Sequence, residues 1–145
     1  MNIYFSCSLT GGRKDEDIYA LLVKHLLEAQ HEVPTAHLAH PQVMSVERIV
    51  DPNEVFQRDI AWLQECDAVV AEVSTPSHGV GYEIAHALGL EKPVLCLHAQ
   101  DAAVSKMITG NDSPGIVVSG YRDQEHALEI LDDFLECVSQ QNRPT

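Results

Sequence analysis

Short apolar runs alternate along the chain with longer stretches in which apolar residues return every three or four positions, the pattern of a parallel sheet covered by helices. Residues 3–8 (I-Y-F-S-C-S) read as a first strand, which Gly11 and Gly12 interrupt. Asp15 or a neighbour then opens a helix with the stripe Ile18, Leu21, Leu22, Leu26 and Ala29. Residues 32–37 form a weak second strand interrupted by Pro34, and 39–52 read as a loop with a turn of helix. Asn53 is placed to cap a helix through Cys66, because Phe56, Ile60 and Leu63 recur at i, i+4 and i+7.

The run D-A-V-V-A-E-V (67–73) is a buried strand, followed by the polar loop 74–79 and a helix to about Leu90. A strand over 93–98, one or two helical turns over 102–108, a strand over 115–119 and a helix with the stripe Ala127, Ile130, Leu131, Phe134 and Val138 complete the pattern. The expectation is one α/β domain over 1–145: a doubly wound, five-stranded parallel sheet in the order 2-1-3-4-5, with helices on both faces. In that topology a ligand binds outside the carboxyl ends of strands one and three, at the loops 8–13 and 74–81.

Composition narrows the partners. At 145 residues with 45% hydrophobic and 21% charged residues, the chain has the makeup of one ordinary globular core. Nine Lys and Arg against 22 Asp and Glu give a net charge of −13. The cations are scattered, which excludes a duplex nucleic acid or an anionic membrane surface as partner. Backbone N–H groups and hydroxyls can still hold a small phosphate. No signal-peptide pattern opens the chain and no apolar stretch approaches the roughly 20 residues of a membrane helix, so a cytosolic protein is expected. Cys7, Cys66, Cys96 and Cys137 lack C-x-x-C spacing and read as reduced thiols.

The candidate chemistry gathers at the two loops. In S-T-P-S-H-G-V-G (74–81), hydroxyls and glycines lead into a helix start, where N–H groups, the helix dipole and the Ser77 hydroxyl suit a phosphate; a plain N-cap is the other reading of Ser77. Glu83 lies one turn further on, either a nucleophile or base facing the ligand or a solvated residue favoured by the dipole. Asp59 lies on the stripe Val55, Asp59, Trp62, Cys66: at the rim it is merely solvated, but facing inward it adds a second carboxylate, the arrangement that opens glycosidic bonds. Tyr4 either hydrogen-bonds one of these carboxylates or is simply core. The eight histidines lack metal-ligand spacing with an acidic partner, and Ser8, Ser77 and Ser105 lack the G-x-S-x-G elbow.

Four segments, I-Y-F-S-C-S-L-T-G-G-R (3–13), R-D-I-A-W-L-Q-E-C-D-A-V-V-A-E-V (58–73), P-S-H-G-V-G-Y-E (76–83) and V-S-K-M-I-T-G (104–110), closely resemble the 2'-deoxynucleoside 5'-monophosphate N-hydrolases of the nucleoside 2-deoxyribosyltransferase superfamily. The resemblance spans essentially the whole chain. It implies Glu83 as the nucleophile on C1' of the deoxyribose, Asp59 as the carboxylate that orients the sugar and assists proton transfer, and Tyr4 as the residue that orients Glu83. It further implies Ser8, Ser77 and the backbone of Gly79 as phosphate ligands, with Gly12, Arg13 and Met107 beside the substrate and His37 on the base side. A homodimer is implied in which Ser105 enters the neighbouring site, with no cofactor or metal. The resemblance thus points to a hydrolase of deoxynucleoside monophosphates. Base exchange by a transferase and nucleotide sensing without turnover are the alternatives, and the phosphate cradle argues against the first.

Overall fold

The computed structural model describes residues 1–9 and 14–142. Four strands, β1 (Ile3–Ser6), β2 (Ala68–Glu72), β3 (Val94–Ala99) and β4 (Ile116–Tyr121), make a parallel sheet in that order. The helices are α1 (Glu16–Glu28), α2 (Val43–Glu47), α3 (Pro52–Glu65), α4 (His78–Gly89), α5 (Lys106–Thr109) and α6 (Gln124–Gln141), with a 3₁₀ turn at Ala36–Ala39. Strand alternation sorts the core into two layers. Ile3 and Phe5 join Ile18, Leu22 and Leu26 of α1 and Leu131 and Val138 of α6 on one face. Tyr4 joins Leu63 of α3 and Val80, Ile84 and Ala87 of α4 on the other. Helices on both faces of a parallel sheet bear out the α/β expectation.

The sheet has four strands and not the expected five. Residues 32–37 supply one parallel bridge, Asn2 to Glu32, on the flank of β1 away from β2. There Ile3 N donates to Glu32 O at 2.8 Å and Glu32 N to Met1 O at 2.9 Å. Pro34 has no N–H to continue the ladder, and the chain turns into the 3₁₀ segment. The buried Thr35 hydroxyl takes over, accepting the Phe5 N–H at 2.9 Å. A side chain therefore does what a second strand would have done.

Two local expectations also shift. Asp51, not Asn53, caps α3: its carboxylate accepts Asn53 N at 2.9 Å, with Pro52 in the first turn where a missing N–H costs nothing. Of the stripe Phe56, Ile60, Leu63, only Leu63 is fully buried. Phe56 stays 47% exposed and packs edge-on against Tyr82 of α4, because the inner side of that half-helix carries the polar pair Arg58 and Asp59.

Candidate active site

Period-two alternation in β1 turns Tyr4 and Ser6 toward α3 and α4, at the carboxyl ends of β1 and β2. Ser6 Oγ donates to Glu83 Oε2 at 2.6 Å, a short charge-assisted bond that fixes the carboxylate from the strand side. Tyr4 is fully buried, and its hydroxyl faces Glu83 closely enough to stabilise its charge without reaching standard hydrogen-bond geometry. Burial, with the Glu83 and Asp59 charges, pushes the Tyr4 phenol far above its ordinary range, so it stays protonated and able to donate.

Burial also pushes Glu83 up to about 7; the Ser6 bond pulls back, the nearby Asp59 charge adds to the rise, and Tyr4 and Arg58 oppose it. Asp59 is raised too, first by burial, while its bond to Arg58 and the Arg58 charge draw it down. Two carboxylates that disfavour each other's ionisation beside a neutral phenol suit a nucleophile paired with a group that handles a proton. The structure brings Tyr4, Asp59 and Glu83 within electrostatic reach of one another.

The loop before α4 is anchored on three sides. Glu72, fully buried at the end of β2, accepts Ser74 N at 2.8 Å; Ser74 Oγ accepts Ala99 N at 2.8 Å; and Thr75 Oγ1 donates to Asp15 at 2.7 Å. Ser77 then caps α4, accepting Val80 N at 3.4 Å, so Ser77 serves as the N-cap of this helix. A Cβ added to Gly79 would lie 3.9 Å from both Ser77 Oγ and Glu83 Oε1, which places the glycine between the Ser77 hydroxyl and the Glu83 carboxylate. Ser8 is fully buried and its Oγ has no hydrogen-bond partner among the described residues.

Ser105 caps α5, accepting Met107 N at 3.2 Å, and Met107 is 81% exposed. Ser77, Ser105 and Met107 border a largely apolar cavity of about 390 Å³ between α4 and α5. Glu83 and Asp59 do not line that cavity. Gly12 and Arg13 lie outside the described residues. Among the described residues, no group of three or more His, Cys, Asp or Glu side chains is placed to hold a metal.

His37, in the 3₁₀ turn, meets Glu47 Oε1 through Nε2 at 2.9 Å and packs edge-on against Trp62, with ring centroids 6.0 Å apart. Sequence reasoning missed Ser6, Glu47, Arg58 and Glu72. Ser6 had a signal, since it shares strand parity with Tyr4. Glu72 had another, a lone carboxylate in an otherwise apolar strand; burial pushes it up to about 7.

The model of the family described as nucleoside 2-deoxyribosyltransferase matches residues 3–131. The chain belongs to that family. A Methanosarcina mazei protein provisionally named 2'-deoxynucleoside 5'-phosphate N-hydrolase 1 is 41% identical over 137 residues, 94% of this chain and 85% of that protein. The 5-hydroxymethyl-dUMP N-hydrolase of Danio rerio is 36% identical over 96% of this chain and 99% of its own. That of Rattus norvegicus is 39% identical over 94% and 85%. Among solved structures, a CMP N-glycosidase of Clostridium botulinum shares the deoxyribosyltransferase-type fold, with a TM-score of 0.70 at 21% identity over 92% of this chain and 99% of that one. No helix among the described residues is long and apolar enough to cross a membrane.

Proposed function

We propose that this chain hydrolyses the N-glycosidic bond of 2'-deoxynucleoside 5'-monophosphates, releasing the free base and 2-deoxyribose 5-phosphate. The observation that carries the reading is the Glu83 carboxylate, held by Ser6 beside the Tyr4 phenol, with Gly79 between it and the Ser77 hydroxyl. The names of the N-hydrolase relatives, each matched along more than nine-tenths of this chain, support the substrate class.

Ionised Glu83 attacks C1' while the Asp59 carboxylate orients the sugar, and the glycosidic electron pair leaves with the base nitrogen, which takes a proton from solvent. Water then attacks C1' of the glycosyl ester and gives its proton to the Asp59 carboxylate, which releases it to solvent, and Glu83 returns as a carboxylate. Tyr4 keeps the carboxylate aimed, and His37 stands on the base side. Ser8, Ser77 and the Gly79 N–H bind the phosphate at the positive end of α4. None of these steps calls for a metal or an organic cofactor. Base exchange is the second reading, favoured by the transferase description of the family model. Incubation with a deoxynucleotide panel and a labelled acceptor base decides between them: free base and 2-deoxyribose 5-phosphate in equal amounts are expected. Labelled nucleotide as the main product would establish transfer, and binding without turnover would establish a sensor.

The working unit is a homodimer in which Ser105 completes the partner's phosphate site. Mixing Glu83→Gln with Ser105→Ala chains is then expected to restore activity above both parents, because one site of each heterodimer is wild type. In a single chain Ser105 and Ser77 border the same cavity. If Ser105 acts within its own chain, mixing yields only the average of the parents.

A further inference from the structure

Arg58 has no part in the reaction as written, yet it joins the sugar side of the crevice to the base side. Its Nε donates to Asp59 Oδ1 at 2.8 Å and its Nη1 to Glu47 Oε1 at 3.2 Å, the same oxygen that His37 Nε2 meets at 2.9 Å. Side chains at i and i+1 of a helix diverge, so Arg58 and Asp59 do not meet by default. The contact requires the Arg58 side chain to fold back along α3. Trp62, at i+4, supplies the surface for this, with the guanidinium 4.9 Å above its ring. The Glu47, Asp59 and Arg58 side chains are 10%, 16% and 27% exposed, so the cluster is shielded enough for direction and charge to count.

We propose that Arg58 is a positioning residue: clamped between Trp62 and Glu47, it fixes the direction of the Asp59 carboxylate and holds it ionised. The proposal rests on the reading that Asp59 acts on the substrate. The charged and titratable groups facing Asp59 are Arg58 on its own helix, Glu47 from α2, His37 from the 3₁₀ turn, Glu83 from α4 and Tyr4 from β1. Of these, Glu47 and Glu83 oppose its ionisation, and Arg58 is the permanent cation that counters them. A lysine carries the charge without the fork that grips two carboxylates at once.

The test uses wild type, Arg58→Gln and Arg58→Lys. The Asp59 carboxyl is titrated by ¹³C NMR and assigned with Asp59→Asn. Its midpoint is expected to rise by about one pH unit or more in Arg58→Gln and to stay near wild type in Arg58→Lys. With a deoxynucleoside monophosphate, Arg58→Gln is expected to lose roughly ten-fold or more in kcat near pH 6, with KM little changed and the deficit shrinking toward pH 8. Arg58→Lys recovers the pH profile but keeps part of the kcat deficit, since direction is lost while charge remains. An unmoved Asp59 titration, with a pH-independent loss that tracks the melting temperature, overturns the proposal. Full activity in Asp59→Asn would instead sink the catalytic reading of Asp59, and the NMR titration would still decide whether Arg58 sets its charge.

Discussion

Glu83→Gln is expected to leave fold and nucleotide binding in place while kcat falls on the order of 10³-fold or more, since the nucleophile is removed and the rest of the site stays. The amide preserves the shape, and its oxygen can still accept the 2.6 Å bond from Ser6. What disappears is the anion. The same residue sets a pH dependence: with Glu83 pushed up to about 7, wild-type activity rises as pH passes through 7 and the nucleophile ionises. Stability moves the other way. A carboxyl that binds its proton more tightly folded than unfolded contributes stability that is fully present below about 4.5 and lost as pH climbs through about 7. Glutamine has no proton to lose. The variant's melting temperature, relative to wild type, is therefore expected to rise between pH 5 and pH 8 while activity stays abolished. Near-normal kcat would remove Glu83 from the mechanism, and a constant gap in melting temperature would remove its raised titration.

Deoxynucleosides lacking the 5'-phosphate are expected to react with kcat/KM lower by about 10²-fold or more, because binding energy from the non-reacting phosphate places C1' against Glu83. The net charge of −13 offers a phosphate no long-range attraction, so the affinity must come from groups in direct contact. Ser8 is the candidate with the sharpest signature: a fully buried hydroxyl with no partner among the described residues costs about 1–3 kcal/mol, which a phosphate oxygen would relieve. Ser8→Ala should accordingly lower kcat/KM for the monophosphate by about ten-fold and leave the nucleoside rate almost unchanged. Equal rates on nucleoside and monophosphate in wild type would shift the reading to base exchange.

The sequence discloses what is local. The β1 alternation, the Ser77 cap and the distance from Gly79 to Glu83 within one helix all follow from spacings of a few residues, and the structure keeps them. Contacts made across the chain were not legible. Glu47 reaches His37 and Arg58 from α2, a five-residue helix in a stretch without period, so nothing in the sequence marks it as a neighbour of the site. Arg58 reads as an ordinary surface cation until Trp62 folds it back. Residues 32–37 look like a strand in the sequence because Val33 is apolar, and the structure buries it in a turn, which meets that packing requirement as well as a strand does. Asn53 lost the cap to Asp51 because a proline between them favours the earlier start.

The hydroxyl of Thr35 on the flank of β1 has a consequence for how the molecule coexists with its own copies. A bare strand edge is a template on which another chain can polymerise, and natural sheets blunt such edges by several devices. Here the Phe5 donor that an invading strand would need is already taken by Thr35 Oγ1, and Pro34 beside it has no N–H to return. On this side the sheet cannot be extended into a fibre-like stack without first unseating a buried threonine.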